Sequence, residues 1–330
     1  MKQLKRGLVF GKFMPLHKGH LALIEFAAAH CDELTVLLCT TETEPIPAQL
    51  RLQWLEKTFG GASNINVLAF AYDEKELPNT SVSSREVSKQ WAGVLQTIAP
   101  ATDLIISSEP YGAFVAAYTG WDYLLFDEAR VQVPVSATMI RQSPLQYWDA
   151  IAPAARPYFV KKIFLLGSES TGKSTLTALL ARHFSTAFVP EVARDIVAET
   201  ETCTFEDLEK IAAAHAVAIE TGISQAHKLL FIDTDISITQ SYARFLFHRE
   251  LPVTPDQLAS NKGDLYFFLE TDCPFVQDGT RLQADEREKL SASHKSVLQE
   301  KQIKYLPIRG NWEERLQAMI AAVNQTFFIA

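Results

Sequence analysis

Residues 167–174 read Gly167-Ser168-Glu169-Ser170-Thr171-Gly172-Lys173-Ser174, a G-x-x-x-x-G-K-[ST] octet. Few patterns constrain a fold so tightly, because the loop works only where a strand turns into a helix around an anion. Its flanks agree. Residues 161–166 are mostly apolar and suit a buried strand, and Leu176, Leu179, Leu180 and Phe184 recur at helical spacing behind the loop. Backbone N–H groups and the helix dipole draw phosphate to such a loop. Lys173 would meet the β- and γ-phosphates and Ser174 would hold Mg²⁺, with Gly167, Gly172 and Thr175 completing the phosphate contacts. A surface Gly/Ser turn leaves the Lys-Ser pair unexplained, so the octet predicts a nucleoside-triphosphate site.

The whole chain sets bounds around that site. At 330 residues there is room for two cores. Net charge is −8 with no basic tract, which argues against a nucleic-acid surface. No apolar run approaches the ~18 residues of a membrane helix, so stable membrane insertion is not expected. Cys31, Cys39, Cys203 and Cys273 are scattered without a C-x-x-C spacing and read as free thiols in a reducing compartment. The basic start, Met1 to Arg6, precedes too short an apolar run for a signal peptide. A cytoplasmic protein is expected.

Ahead of the octet, apolar runs at 7–11, 35–39, 66–70, 104–106 and 123–126 alternate with helical patterns, including 49–59 and 84–98. That alternation predicts an α/β fold with a parallel sheet, whose ligands gather at the carboxyl ends of strands. His17-Lys18-Gly19-His20 follows the first of these strands. Two imidazoles three residues apart can face one ligand at a helix N-terminus, and Gly19 lets backbone approach closely. Zinc would want further ligands, and the other histidines and cysteines are not spaced to supply them.

Preceded by Gly11-Lys12-Phe13-Met14-Pro15-Leu16, the His pair resembles the first signature of the nucleotidyltransferase superfamily with H-x-G-H active sites. Ser136-Ala137-Thr138-Met139-Ile140-Arg141 is similar to that superfamily's late signature, [ST]-x-T-x-[IV]-R, although Ser and Thr also suit a plain helix cap. With residues 105–112 between them, the set resembles the nicotinamide mononucleotide adenylyltransferase domain of NadR-type bifunctional proteins. The resemblance implies that His17 and His20 contact phosphates during transfer and that Lys12, Thr138 and Arg141 hold the β- and γ-phosphates. Gly11 and Phe13 belong to the same phosphate-binding loop, and Mg²⁺ would bridge phosphate oxygens. Glu109 and Tyr111, after a strand end, are candidates for substrate recognition, with Asp127 and Arg130 further candidates. Trp91 is either a stacking partner for the nicotinamide ring or a core tryptophan on an amphipathic helix.

Pro144, Pro153 and Pro157 punctuate residues 143–160, read as a linker between a first domain at 1–142 and a second at 161–330. In the second, residues 187–190 form a strand candidate leading to Glu191 and Asp195. Small-molecule P-loop kinases keep an acid there facing the acceptor hydroxyl. Glu191 is the first choice for general base, Asp195 the second, and Arg194 lies near substrate or phosphate. The same acids also suit an exposed helix N-terminus. Residues 229–232 with Asp233 resemble a Walker B strand, making Asp233 the Mg²⁺ partner of Ser174 and Asp235 a substrate contact. Arg281 and Arg287, after the strand at 266–269, resemble the arginines of a mobile lid, or are simply solvated.

This half is similar to ribosylnicotinamide kinases. The combined resemblance implies two α/β domains, an N-terminal Rossmann-like nucleotidyltransferase sheet and a C-terminal P-loop kinase sheet. ATP would phosphorylate ribosylnicotinamide to nicotinamide mononucleotide, and a second ATP would convert that to NAD and pyrophosphate. Some members begin with a helix-turn-helix domain; here the chain opens on the catalytic strand, so DNA binding is not expected. Two other readings stay open: the same chemistry on another cofactor precursor, and a nucleotide-sensing regulator with little turnover. A sensor has no need of two imidazoles at the α-phosphate. Homo-oligomerisation is not readable from the residues.

Overall fold

Two parallel sheets organise the computed structural model, which describes residues 4–78, 84–197, 203–272 and 284–328. The chain divides into two compact units, Met1–Tyr158 and Phe159–Ala330. In the first, the elements run β1 (Arg6–Gly11), α1 (Lys18–Ala29), β2 (Glu33–Thr40), α2 (Ala48–Phe59), β3 (Ile65–Ala71), α3 (Arg85–Ile98), β4 (Leu104–Ser107), α4 (Tyr111–Thr119), β5 (Asp122–Leu125) and α5 (Ala137–Gln142). The sheet order is β3-β2-β1-β4-β5, every pair parallel.

The central strands are apolar on both faces. Leu8 and Val9 of β1 and Val36, Leu37 and Leu38 of β2 are at most 1 % exposed, as a parallel sheet covered on both faces requires. After β3 at one edge the chain returns to β4, on the other side of β1. A crevice therefore opens at the carboxyl ends of β1 and β4, where such sheets bind ligands. The turn from β4 into α4 is tight: a Cβ on Gly112 would lie 2.3 Å from Ser107 Oγ and 2.6 Å from the Tyr123 ring, so a larger residue would force the two elements apart.

The proline-punctuated stretch read as a linker packs into the first unit over most of its length. Short 3₁₀ turns at Trp148–Ala150 and Pro153–Phe159 carry it, and Trp148, Ile151, Ala152 and Ala155 are buried. The Ala152 N–H donates to the Leu16 carbonyl at 3.1 Å, so this stretch backs the loop that carries the His pair. Apolar side chains between the prolines explain the difference: burying them outweighs leaving the segment in water.

The second unit comprises β6 (Lys161–Leu166), α6 (Lys173–His183), β7 (Phe188–Val189), α7 (Ala193–Ile196), α8 (Phe205–Gln225), β8 (Leu229–Asp233), α9 (Ile236–Phe247), α10 (Pro255–Ser260), β9 (Leu265–Leu269), α11 (Ala284–Glu300), β10 (Leu306–Ile308) and α12 (Trp312–Phe327). Its sheet order is β10-β9-β6-β8-β7, again parallel throughout. Leu176 and Leu180 of α6 join Ile163, Leu165, Phe231, Phe267 and Met319 in the core, whereas Leu179 lies outside it, 37 % exposed. A capping box between Asn311 and Glu314 starts α12 beside the phosphate loop. Among the described residues, no helix is long and apolar enough to cross a membrane.

Candidate active sites

In the first unit the chain leaves β1 at Gly11 and reaches α1 through residues 12–17. His17 is the N-cap of α1, its Nδ1 accepting the Gly19 N–H at 3.1 Å. That bond fixes the tautomer of the neutral ring and leaves Nε2–H as its donor. His20 follows one turn later, and the two rings stack with centroids 3.8 Å apart and planes 28° apart. A Cβ on Gly19 would lie 2.9 Å from His17 Cε1, so glycine is what lets the first imidazole fold back over the helix start. Phe13 packs its ring at 74° to His20, with centroids 5.1 Å apart.

Both imidazoles are held neutral at pH 7. Burial, reinforced by the positive charge of Arg130, lowers His17 to about 4. Burial likewise takes His20 well below the ordinary histidine value, with His17 and Arg130 adding to the effect and a Pro15 backbone contact opposing it. The pair thus offers hydrogen bonds rather than fixed charge.

Charge comes from the flanks. Arg141 donates to the Met14 carbonyl and to Thr138 Oγ1, the latter at 3.1 Å, which ties α5 to the His loop. Ser136 caps α5, accepting the Met139 N–H at 3.2 Å, as the plain cap reading expects. Lys12 Nζ lies 2.9 Å from Glu44 Oε1 and 2.9 Å from Glu74 Oε1. Burial works against its charge, but the two carboxylates outweigh that and hold the ammonium above the ordinary lysine value.

A cavity of about 420 Å³ opens here, and Gly11, Lys12, Phe13, His20, Trp91, Glu109, Tyr111 and Thr138 all line it. Residues far apart in sequence are therefore brought to one crevice at the carboxyl ends of β1 and β4. Trp91 takes the core position, 7 % exposed and stacked on Phe10 at 5.6 Å, and it also forms part of the cavity wall. The Tyr111 hydroxyl donates to the Phe10 carbonyl at 3.3 Å, and Glu109 pairs with Arg130 at 3.5 Å. Asp127 is not among the described lining residues. Its carboxylate accepts the Val131 and Gln132 N–H groups at 2.8 and 3.0 Å, so it shapes its own loop. Tyr72, just past the end of β3, was missed; it lines the cavity and packs edge-on against Trp91, with centroids 5.0 Å apart. Its position after a strand end was the available signal.

In the second unit the octet forms the β6–α6 turn, with Gly167 and Gly172 at φ +138° and +91°. Lys173, 8 % exposed, donates to the Ser168 carbonyl at 3.0 Å. Ser174 Oγ donates to Asp233 Oδ2 at 2.6 Å across neighbouring strand ends. Burial raises Asp233 to about 6, against the pull of the Lys173 charge. Arg194 donates to Ser174 Oγ at 3.2 Å and to Glu191 Oε2 at 3.1 Å, which brings Glu191 to the same corner. Asp195 is exposed on α7, and Thr175 is exposed in the first turn of α6.

Two expectations change. Asp235, read as a substrate contact, is the N-cap of α9, accepting the Ile238 N–H at 3.1 Å, and only 1 % of it is exposed. A buried carboxylate needs donors, and the helix supplies them. Arg287, read either as a lid arginine or as a solvated one, is 5 % exposed on α11, which removes the solvated reading. Arg281 lies outside the described residues.

Sequence gave no sign of what supports the loop. Arg315 of α12, 2 % exposed, donates to the Thr171 carbonyl at 2.9 Å and to the Glu270 carbonyl at 3.0 Å, and it pairs with Asp272. The Tyr242 hydroxyl donates to Glu169 Oε1 at 3.3 Å. A Cβ on Gly172 would fall 2.5 Å from the Trp312 ring, at a φ that L side chains rarely adopt. Gly172→Ala is therefore expected to lower the thermal midpoint and to cut phosphate-loop nucleotide affinity by about 5- to 150-fold, since strain of this kind costs on the order of 1–3 kcal/mol. Titrating a fluorescent ATP analogue against the variant checks this.

Residues 8–143 match the cytidylyltransferase-like family, and residues 162–315 match an AAA domain. The chain is 34 % identical over 297 residues to the trifunctional NAD biosynthesis/regulator protein NadR of Escherichia coli (strain K12), covering 83 % of this chain and 71 % of that protein. The nicotinamide-nucleotide adenylyltransferase of Thermococcus sibiricus is 23 % identical over 165 residues, 48 % of this chain and 84 % of the relative. Among solved structures, a NadR protein in complex with NR superposes with a TM-score of 0.79 at 22 % identity, over 99 % of this chain and 97 % of that one. A NadR protein in complex with NAD and AMP-PNP gives the same figures, so the fold is shared along nearly the whole chain.

Proposed function

The chain belongs to the NadR family, and from that premise we propose that it makes NAD in two ATP-dependent steps at two separate sites. The region 161–330 would phosphorylate ribosylnicotinamide, and the region 1–142 would join the resulting mononucleotide to the adenylyl group of a second ATP. One observation carries the reading: each unit has its own phosphate-ready strand end, one with stacked imidazoles and one with a glycine-flanked lysine.

In the kinase step Glu191 accepts the proton of the ribose 5′-hydroxyl as that oxygen attacks the γ-phosphorus, and ADP leaves. Glu191 is favoured over Asp195 because Arg194 links it to Ser174, whereas Asp195 faces solvent. Lys173 gathers charge on the transferring group. Ser174 Oγ and Asp233 offer adjoining hard oxygen donors of the kind Mg²⁺ takes, and the ion when bound would offset phosphate charge.

In the transferase step the mononucleotide's 5′-phosphate is already anionic and needs no protein base. It attacks the α-phosphorus, and pyrophosphate leaves. His17 and His20 donate hydrogen bonds to phosphate oxygens, while Lys12, Thr138 and Arg141 hold the departing pyrophosphate. Glu109, Tyr111 and Trp91 line the space available to the nicotinamide nucleoside. The test is conversion: purified protein with Mg-ATP and ribosylnicotinamide should yield NAD, ADP and pyrophosphate. No NAD, from either ribosylnicotinamide or the mononucleotide, sinks the reading.

A further inference from the structure

The Lys12 ammonium touches two carboxylates that are built very differently. The Glu44 side chain is 5 % exposed; its Oε2 pairs with the Arg51 guanidinium and accepts the Thr41 N–H at 3.1 Å. Arg51 is itself 0 % exposed and donates to the Ile46 and Lys12 carbonyls at 3.1 and 2.7 Å. Glu44 cannot turn away without stranding a buried cation. Glu74 stands on the turn after β3 with its side chain 47 % exposed. Both Lys12 contacts measure 2.9 Å, but only the one to Glu74 is aligned as a hydrogen bond.

Charge decides what this means for a nucleotide. Lys12 and Arg51 against Glu44 and Glu74 make a neutral cluster, which offers a triphosphate little attraction. With Glu74 turned out into water the cluster carries one net positive charge beside the cavity. Leaving is easy for Glu74, because a half-exposed ion pair contributes little and water solvates the freed carboxylate.

We infer that Glu74 is an exchangeable counter-ion that the triphosphate displaces from Lys12, while Glu44, pinned by Arg51, is the positioning residue that keeps Lys12 at the cavity. The inference rests on the phosphate-binding role proposed above for Lys12. It gives the lysine a defined place before nucleotide arrives and makes Glu74 a competitor of ATP rather than a helper.

Steady-state adenylylation of nicotinamide mononucleotide by the intact chain tests it, with pyrophosphate release read at saturating mononucleotide and varied ATP. Glu74→Gln is expected to raise kcat/KM for ATP about two- to fivefold through a lower KM, the factor that an exposed ion pair corresponds to. Structural damage would move kcat/KM the other way. Glu44→Gln is expected to lower it; should that variant fail to fold, the Glu74 arm decides alone. A Glu74→Gln enzyme with unchanged or reduced kcat/KM, while Lys12→Ala has raised the KM for ATP, overturns the inference and spares the role of Lys12. If Lys12→Ala leaves the KM for ATP untouched, the role of Lys12 fails and the inference falls with it. Equal gains from both glutamate variants would erase the division between them and overturn it too.

Discussion

Replacing Lys173 with methionine is expected to slow phosphorylation of ribosylnicotinamide by about 10²- to 10³-fold while nicotinamide mononucleotide is still adenylylated, the scale of loss seen when one preorganised charge donor is removed. Lys173 is the first residue of α6, and it is 8 % exposed. In that dry corner its charge is poorly screened, so it acts strongly on the group being transferred. Methionine keeps the volume of the buried stem, which separates loss of charge from loss of packing. The variant also leaves Asp233 without the cation that opposes its raised pKa, so the neighbouring oxygen pair with Ser174 weakens as well. Supplying ribosylnicotinamide in one assay and the mononucleotide in another isolates the effect. Loss of both activities would contradict separate sites.

The features that sequence reveals and those it hides divide along a physical line. Backbone-determined features were readable: the strand alternation, the octet at the β6–α6 turn and the His pair at the start of α1 each depend on local spacing, and the parallel sheets follow from the alternation. Side-chain use was not. Asp127 and Asp235 each follow a strand, where ligands are expected, yet each spends its carboxylate on backbone N–H groups. Nothing in a linear sequence separates an acid that meets a substrate from one that caps a turn.

Support residues are hidden for a related reason. Arg315 reaches the Thr171 carbonyl across 144 residues of chain, and Arg51 reaches the Lys12 carbonyl across 39. Both are buried cations that hold a strand-to-helix loop by its backbone, and on a helix either one reads as an ordinary solvated arginine. The proline-punctuated stretch marks where one unit gives way to the next, but spacing of prolines does not show that Trp148 and Ile151 between them are buried in the first unit.

His20→Ala should give the mirror image of the Lys173 variant: adenylylation falls by about 10²- to 10³-fold, the size of a lost transition-state donor, and ribosylnicotinamide phosphorylation continues. Supplied with ribosylnicotinamide and ATP, this enzyme should stop at the mononucleotide and accumulate it, a product pattern that chromatography reads directly. His20 is the more telling of the two imidazoles because it lines the cavity, whereas His17 spends Nδ1 on the Gly19 N–H and works as part of the helix start. Its burial also predicts how it acts. Held well below the ordinary histidine value, the ring is neutral at pH 7 and contributes a directed hydrogen bond rather than a charge. His20→Lys, which supplies a cation at that position, should therefore fail to restore the rate, while His20→Asn, which retains an N–H donor, should recover part of it. Full rescue by lysine would mean that charge, not direction, is what the site requires of this position.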